Sequence, residues 1–519
     1  MDSLFTFHVL RGKISRDAKM QTLMRAFKNH WEWLALVGIV LATRIYLLSI
    51  YDIELSQDGF DAVRTLAIWQ SQGASAVPRD LSDRFILHPL YMLLLAALRI
   101  VTPVSIDFYF VARLLSALIA CVAITVLFEF TRCSFGRLAA WIAALFLAFA
   151  PTFLWESVAI LSATLFLALY LAVLLALLQS RYRLAAFLAF LSALTRYEGV
   201  VLIALVFATL VIRDLRARQI HPGDWLTSIA LALAFPITLM ATGVLATGNA
   251  VQFLGSNSMA AIWLRFLAPG DFFNRAAFFL TRYPDLFPAT VVWIGVAGAV
   301  VAIIRQRTRA TVLLFLIAAL YLLFFETLVW LNYTTLEVRF LMYPGLPLLV
   351  FAGLTLSALH GWSKIIRLVA NVGLAIIVVV LCALSYRHGD TGMRFIYNSQ
   401  SSMREMADEL AHLIPPNQPT NVLAYGGTSG ALDFFMQQHG IQLSFTEFRF
   451  APDDNPERYI VDHQIQFVLY PVGNAFAKAK YPYLARFETQ THGAVTFQPL
   501  TQFATSTDNQ LYSIWSVTY

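Results

Sequence analysis

From position 158 to position 179 the chain reads VAILSATLFLALYLAVLLALLQ, without one charged residue. A run of about 20 apolar residues is long enough to cross membrane hydrocarbon as a helix. Trp141–Pro151, Trp225–Leu245 and Thr311–Leu331 are nearly free of charge in the same way. Only helices and closed barrels satisfy their backbone in lipid, and unbroken apolar runs exclude the alternating pattern of a barrel. The fold class that follows is a polytopic α-helical membrane protein.

Composition agrees. Of 519 residues, 59% are hydrophobic and 13% are charged, against about 25% charged in soluble chains. The net charge of +6 does not imply a nucleic-acid partner, because Arg and Lys sit in short clusters between apolar runs, where they report topology. Cys121, Cys133 and Cys382 are scattered, with neither a metal-ligand spacing nor the makings of a disulfide framework.

Charge asymmetry assigns sides. The basic segment 1–32 is expected in the cytoplasm, followed by a retained first span near Trp33–Ile50 rather than a signal peptide. The loop 51–107 opens with Asp52, Glu54, Asp58, Asp61, Asp80 and Asp83 against Arg64, Arg79 and Arg84 and is expected outside. The clusters Arg132/Arg137, Arg181/Arg183, Arg213/Arg216/Arg218, Arg305/Arg307/Arg309 and Lys364/Arg367 are expected inside. Phe85–Thr102 is read as a helix at, or dipping into, the outer face. Spans are expected near 33–50, 108–130, 138–155, 158–179, 184–196, 199–212, 225–247, 289–304, 311–331, 340–358 and 367–386. That is about eleven, in a transmembrane domain 33–387. The stretch 184–212 becomes a hairpin whose short arms hold Arg196 and Glu198 at a tip sunk below the outer surface. Such a tip survives only inside protein or a wet cavity.

From 388 to 519 apolar runs shorten to strand length at Asn421–Tyr425, Ile465–Tyr470 and Leu511–Val517, with a helix at Ser429–Gln438. A small extracytoplasmic α/β domain capping the membrane domain is expected.

The stretch from Ser56 to about Gln72 reads as an amphipathic helix, with Phe60, Val63, Ala67 and Trp69 able to lie against lipid. Asp58 at its start would serve as an N-cap on composition alone. A family resemblance raises the functional alternative. Asp58-Gly59 resembles the acidic first-loop motif of GT-C glycosyltransferases, with Gly59 where a second acid often falls. His88-Pro89-Leu90-Tyr91, Arg113-Leu114-Leu115-Ser116-Ala117-Leu118, Ser134-Phe135-Gly136-Arg137, Leu194-Thr195-Arg196-Tyr197-Glu198-Gly199 and Val338-Arg339-Phe340-Leu341 resemble further motifs of that family, in order. In character the chain is similar to protein O-mannosyltransferases and the lipid A aminoarabinose transferase.

The resemblance implies an inverting sugar transfer from a polyprenyl-phosphate donor to a lipid, glycan or protein acceptor at the extracytoplasmic face of a cell membrane, expected to be bacterial. Asp58 and Asp61 are then the catalytic candidates. Arg196, Arg339, His88 and Arg84 are the candidates for donor phosphate, with Glu198 and Glu156 in support. Many family members carry a second acid after the third span. Here Ile160-Leu161-Ser162-Ala163-Thr164-Leu165 holds none, and Glu156 is the nearest substitute. A divalent metal thus stays possible without being implied, and no other cofactor is expected. The competing class is a transporter or flippase of a lipid-linked substrate. It is disfavoured by the single broken hairpin, where transporters tend to repeat such elements.

Overall fold

The computed structural model describes residues 31–72, 89–103, 105–247, 286–305, 308–330, 338–358, 364–415, 420–424, 429–448, 455–506 and 510–519. Helix α1 (Trp31–Ile50) leads into the first loop and α2 (Gln57–Gln72). Then come α3 (Pro89–Val101), α4 (Phe108–Phe135), α5 (Arg137–Ala148), α6 (Pro151–Glu156), α7 (Ala163–Leu178), α8 (Tyr182–Thr195) and α9 (Val200–Ala217). Helices α10 (Pro222–Thr247), α11 (Ala289–Arg305), α12 (Arg309–Trp330), α13 (Met342–Ala358) and α14 (Lys364–Leu413) complete the helical part. Among the described residues, 6 helical stretches are long and apolar enough to cross a membrane. Shorter apolar helices run 10–17 residues, so helix length alone carries fewer crossings than the expected eleven.

The apolar run that opens the sequence argument is not helical throughout. Helix α5 stops at Ala148, Pro151 starts the short α6, and α7 begins only at Ala163. Proline lacks the amide that would continue a helix. The irregular segment 157–162 is buried, which membrane proteins tolerate where side chains meet its backbone groups. Arg113 and Glu54 do so here, and Arg44 braces the end of α5 and the Ser157 side chain. Arg44 of α1 donates to the Ala148 carbonyl (2.7 Å) and to Ser157 Oγ (2.9 Å). Arg113 of α4 donates to the Val158 carbonyl (2.7 Å), and Glu54 accepts from the Ile160 amide (3.1 Å).

The expected hairpin is present. Helices α8 and α9 are joined by a 3-10 turn, Tyr197–Gly199. A Cβ on Gly199 would lie 2.3 Å from the Ala193 amide nitrogen, so the turn folds this tightly only with glycine there. At the far end of the hairpin Asp224 accepts from both Arg183 (3.0 Å) and Arg213 (2.6 Å), and Arg309 reaches Ser180 and Tyr182. Three basic clusters therefore share one end of the bundle, as a hairpin requires, and Arg196 lies at the other.

Helix α14 runs unbroken through position 388, and its last turns enter the C-terminal domain. Its length is about 75 Å at about 1.5 Å per residue. Strands β1 (Thr420–Ala424), β2 (Leu443–Glu447), β3 (Phe467–Pro471), β4 (Gln490–His492), β5 (Val495–Ala504) and β6 (Leu511–Thr518) form a sheet ordered β2-β1-β3-β6-β5-β4. β1 pairs in parallel with β2 and β3; the remaining pairings are antiparallel. Crossover helices α15 (Ser429–Gln438) and α16 (Pro456–Asp462) make the parallel connections, and α17 (Ala475–Lys480) follows β3. One sheet face packs on Met403, Met406 and Leu410 of α14 with Leu432, Phe435 and Met436 of α15. The other covers Ile460, Tyr481 and Leu484.

Helix α2 spans the expected residues, but Phe60 and Trp69 of its apolar face are buried in protein. Phe60 is 2% exposed and packs against Phe434 and Tyr109, and Trp69 is buried with Tyr91, Met92 and Leu95 of α3. The C-terminal domain covers Phe60, and α3 covers Trp69, where amphipathicity alone assigns both to the bilayer.

Candidate active site

The first turn of α2 is capped by Ser56, whose Oγ accepts from the Gly59 amide at 2.8 Å. Asp58 is thereby released from the N-cap role that its position suggests. Its side chain is half exposed, and its Oδ2 accepts from Arg339 Nη1 at 3.3 Å. Arg339 stands in the 3-10 turn Val338–Leu341 that opens α13. Its guanidinium lies 5.7 Å from the centre of the Phe340 ring, and that of Arg196 lies 6.0 Å from the same ring. Both cations therefore lie against one aromatic side chain.

Arg196 is 5% exposed and Glu198 is fully buried. Arg196 donates from Nη2 to Glu198 Oε1 at 2.8 Å and from Nε to both carboxylate oxygens at 3.1 and 3.2 Å. Its Nη1 has Ser162 Oγ at 3.4 Å. The pairing expected at the hairpin tip is thus formed, with one edge of the guanidinium turned to Glu198 and Nη1 less tightly engaged. Glu156, at the end of α6 in the break between spans, is also buried. Burial pushes its carboxyl up to about 7, against the opposing pull of Arg196 and Arg339. No described residue hydrogen-bonds to that carboxyl.

Asp61 lies one turn further along α2, where its Oδ1 is 3.5 Å from Gln57 Nε2. Gln57 Oε1 in turn accepts from the Gly430 amide of α15 at 3.2 Å. Asp61 therefore stands beside Gln57, which makes the contact with the C-terminal domain, and Asp58 stands in the cluster with Arg339. Arg84 and His88 lie outside the described residues. The structure brings together Asp58, Arg339, Arg196, Glu198 and Glu156, at the end of the bundle that carries the sheet domain.

Two ionisable residues beneath this cluster were given no site role by the sequence, although Arg113 opens one of the quoted motifs. Glu54 is 1% and Arg113 2% exposed, with 3.9 Å between Arg113 Nε and Glu54 Oε2. Burial pushes the Glu54 carboxyl up to about 7, with Arg113 and backbone amides holding it lower than burial alone would. Glu54 lies against Gly59, where a Cβ would come within 2.6 Å of its Oε1. Gly59, which departs from the two-acid motif, makes room for a carboxylate arriving from five residues earlier. The Glu54–Arg113 pair fastens the irregular segment after Glu156 to the turn that presents Asp58. A charged residue at the head of the apolar run 108–130 was a usable signal for Arg113. Among the many acids of the first loop, nothing marked Glu54.

Among the described residues no three His, Cys, Asp or Glu side chains gather as a metal site, and the neighbour of Asp58 is a cation. The described residues do not by themselves fit a divalent ion at Asp58.

No family model matches the sequence, and no curated protein matches it either. Similarity to solved structures is clear at the level of fold. The chain matches ArnT from Cupriavidus metallidurans bound to undecaprenyl phosphate at TM-score 0.57 and 14% identity, over 95% of this chain and 98% of that one. It matches the apo oligosaccharyltransferase of Archaeoglobus fulgidus at TM-score 0.55 and 13% identity, over 86% of this chain and 70% of that one. The same archaeal enzyme, AglB, in complex with an inhibitory peptide and a dolichol-phosphate, matches at TM-score 0.53. The chain has the fold of the GT-C glycosyltransferases, an integral membrane fold. It shares that fold over nearly its whole length with the ArnT structure.

Proposed function

We propose that this protein is a membrane glycosyltransferase that moves a sugar, with inversion, from a polyprenyl-phosphate donor to an acceptor on the extracytoplasmic face. About eleven crossings would then place the Asp58 cluster and the domain 388–519 outside. The observation that carries the reading is the cluster itself. A half-exposed carboxylate on the first loop stands beside one arginine, with a second arginine against the same Phe340 ring.

Asp58 is assigned as the base. It takes the proton of the acceptor hydroxyl while that oxygen attacks the anomeric carbon. The bond from that carbon to the phosphate oxygen breaks, and the electron pair leaves with the lipid phosphate. Charge grows on that phosphate in the transition state, where cations already in place stabilise it most. Arg339, shared between Asp58 and the phosphate, and Arg196, approached at Nη1, are assigned that role. Glu198 orients Arg196. Glu156, with a carboxyl near neutrality in its titration, limits the negative charge beside the phosphate. Asp61 is the alternative base, and His88 and Arg84 are further candidates for the phosphate. The neighbours' undecaprenyl and dolichol phosphates support the donor class.

The test is mass analysis of products after purified protein in native lipid extract meets a panel of polyprenyl-phosphate hexoses and pentoses. A glycosylated product that is lost with Asp58→Asn supports the assignment. Movement of intact donor across a vesicle bilayer without any transfer would favour the transporter reading instead.

A further inference from the structure

On the far side of α2 from Asp58 lies a cavity of about 270 Å³ between α2 and α15. Helix geometry of about 100° per residue puts Phe60, Val63 and Ala67 nearly opposite Asp58. Across from them stand Asp433, Phe434 and Gln437 of α15, with Tyr109 closing one end. Asp433 is the unusual member. Its side chain is 6% exposed, its Oδ2 faces Arg64 Nε at 3.5 Å, and it accepts from Gln437 Nε2 at 3.1 Å. Its Oδ1 accepts from no described residue, although an ionised carboxylate has about four acceptor positions. Burial pushes this carboxyl above its ordinary value, against the pull of Arg64.

The lining selects among ligands. A lipid tail would leave Asp433 and Arg64 desolvated beside hydrocarbon. A phosphate meets no net positive charge, since Arg64 is matched by Asp433. An uncharged sugar ring fits both halves of the surface. Its vicinal hydroxyls match the planar, paired groups of Asp433, Arg64 and Gln437. Its C–H face matches the aromatic cluster in which Tyr109 and Phe434 lie 4.8 Å apart. Sites of this kind combine apolar walls with a few convergent polar groups.

We infer that the cleft between α2 and α15 is a saccharide subsite that holds one uncharged sugar ring away from the reacting centre. As a subsite for a distal unit of the acceptor it rests on the proposed transferase function; as a sugar site it does not. A ring bound there is separated from Asp58 by the thickness of one helix, about 10 Å. It therefore adds affinity for an extended acceptor without touching the chemistry.

The test uses full-length protein in lipid nanodiscs free of glycoside detergent. Saturation-transfer difference NMR is recorded with methyl α-D-mannopyranoside, methyl β-D-glucopyranoside and the methyl glycoside of N-acetylglucosamine. At least one glycoside is expected to receive saturation from wild type and equally from Asp58→Asn. Its affinity is expected to fall about tenfold or more in Asp433→Ala, the size of one lost charge-assisted hydrogen bond. Ala67→Trp fills the cavity from an exposed position and leaves the Arg64–Asp433 pair intact. It is expected to abolish the signal without lowering the unfolding temperature. The inference is overturned by the absence of signal with all three glycosides, by binding that survives Asp433→Ala and Ala67→Trp, or by binding lost with Asp58→Asn. Retention of undecaprenyl phosphate by the same preparation, read by native mass spectrometry, separates the two claims. Lipid phosphate held without any glycoside sinks the subsite alone. A glycoside held in this cleft by a protein that takes no lipid phosphate supports the subsite and sinks the transferase reading.

Discussion

Arg339 donates from Nη1 to Oδ2 of Asp58 across 3.3 Å, joining the first-loop helix to the head of α13 over 281 positions of sequence. The contact is partly exposed, so the pair itself contributes little stability. Its consequence is positional: a carboxylate and a cation from distant parts of the chain are held at one spot. Asp58→Asn is accordingly expected to reduce sugar transfer by on the order of a hundred- to ten-thousand-fold while the unfolding temperature stays within a degree or two of wild type. Asp61→Asn, which alters the partner of Gln57 on the same helix, is expected to keep most activity. A transfer assay that reverses the two would move the base by one turn of α2.

The buried pair at the hairpin tip behaves differently. Removing one partner of such a pair strands a charge in the interior, at a cost of about 3–5 kcal/mol. Arg196→Ala should therefore unfold at clearly lower temperature, and Glu198→Gln less so because the amide still accepts from the guanidinium. Arg196→Lys keeps the charge but cannot reproduce the parallel hydrogen bonds of the guanidinium. It is expected to lose most affinity for polyprenyl phosphate. Normal lipid-phosphate binding by Arg196→Ala, together with early unfolding, would reduce Arg196 to a structural partner of Glu198 and leave the phosphate to Arg339.

How much of this was legible follows from what each residue's partner is. The apolar helices, the hairpin 184–212 and the helix Ser429–Gln438 rest on local apolar patterning, which a sequence displays. The Arg196–Glu198 pair was readable because its members are two residues apart. Glu54 and Arg113 are 59 positions apart, and their common task is to satisfy the irregular backbone at 158–160. That break is invisible in an apolar run that reads as one helix. Phe60 was assigned to lipid for the same reason: an apolar face reports that something covers it, not what. The covering residue, Phe434, belongs to the other domain.

The Glu54 carboxyl, pushed up to about 7 in the fold, gives a pH dependence with a definite sign. The native state holds this proton at pH values where the unfolded chain, with an ordinary glutamate near 4.3, has released it. Stability must therefore fall as pH rises from about 5 through 7. Glu54→Gln removes the titrating group, so its unfolding temperature should vary less between pH 5 and 8 than that of wild type. Parallel slopes for the two proteins would show that Glu54 is already ionised in the fold and held so by Arg113.

Gly59 and Glu54 should also be coupled in stability. Gly59→Ala drives a Cβ to within 2.6 Å of the Glu54 carboxylate and is expected to lower the unfolding temperature. Gly59→Ala combined with Glu54→Ala should cost less than the sum of the two single changes, since the smaller side chain relieves the overlap. Additive thermal shifts would mean that Glu54 moves aside freely and does not fix the Asp58 turn.

Sidedness is tested by single-cysteine labelling in intact cells. Cysteine at Ser429 should react with a membrane-impermeant maleimide from outside, and cysteine at Thr308 only after permeabilisation. Labelling of Ser429 from the cytoplasm alone would invert the proposed face of transfer.

The central claim is that the Asp58 cluster is built to hold a lipid phosphate. Native mass spectrometry of the purified protein with undecaprenyl phosphate measures this without knowledge of the sugar or the acceptor. Wild type and Asp58→Asn are predicted to retain the lipid, while Arg339→Ala and Arg196→Ala each lose at least about tenfold in occupancy-derived affinity, one charge-assisted contact's worth. Equal retention by all four proteins, each shown to be folded by thermal unfolding, would contradict the account.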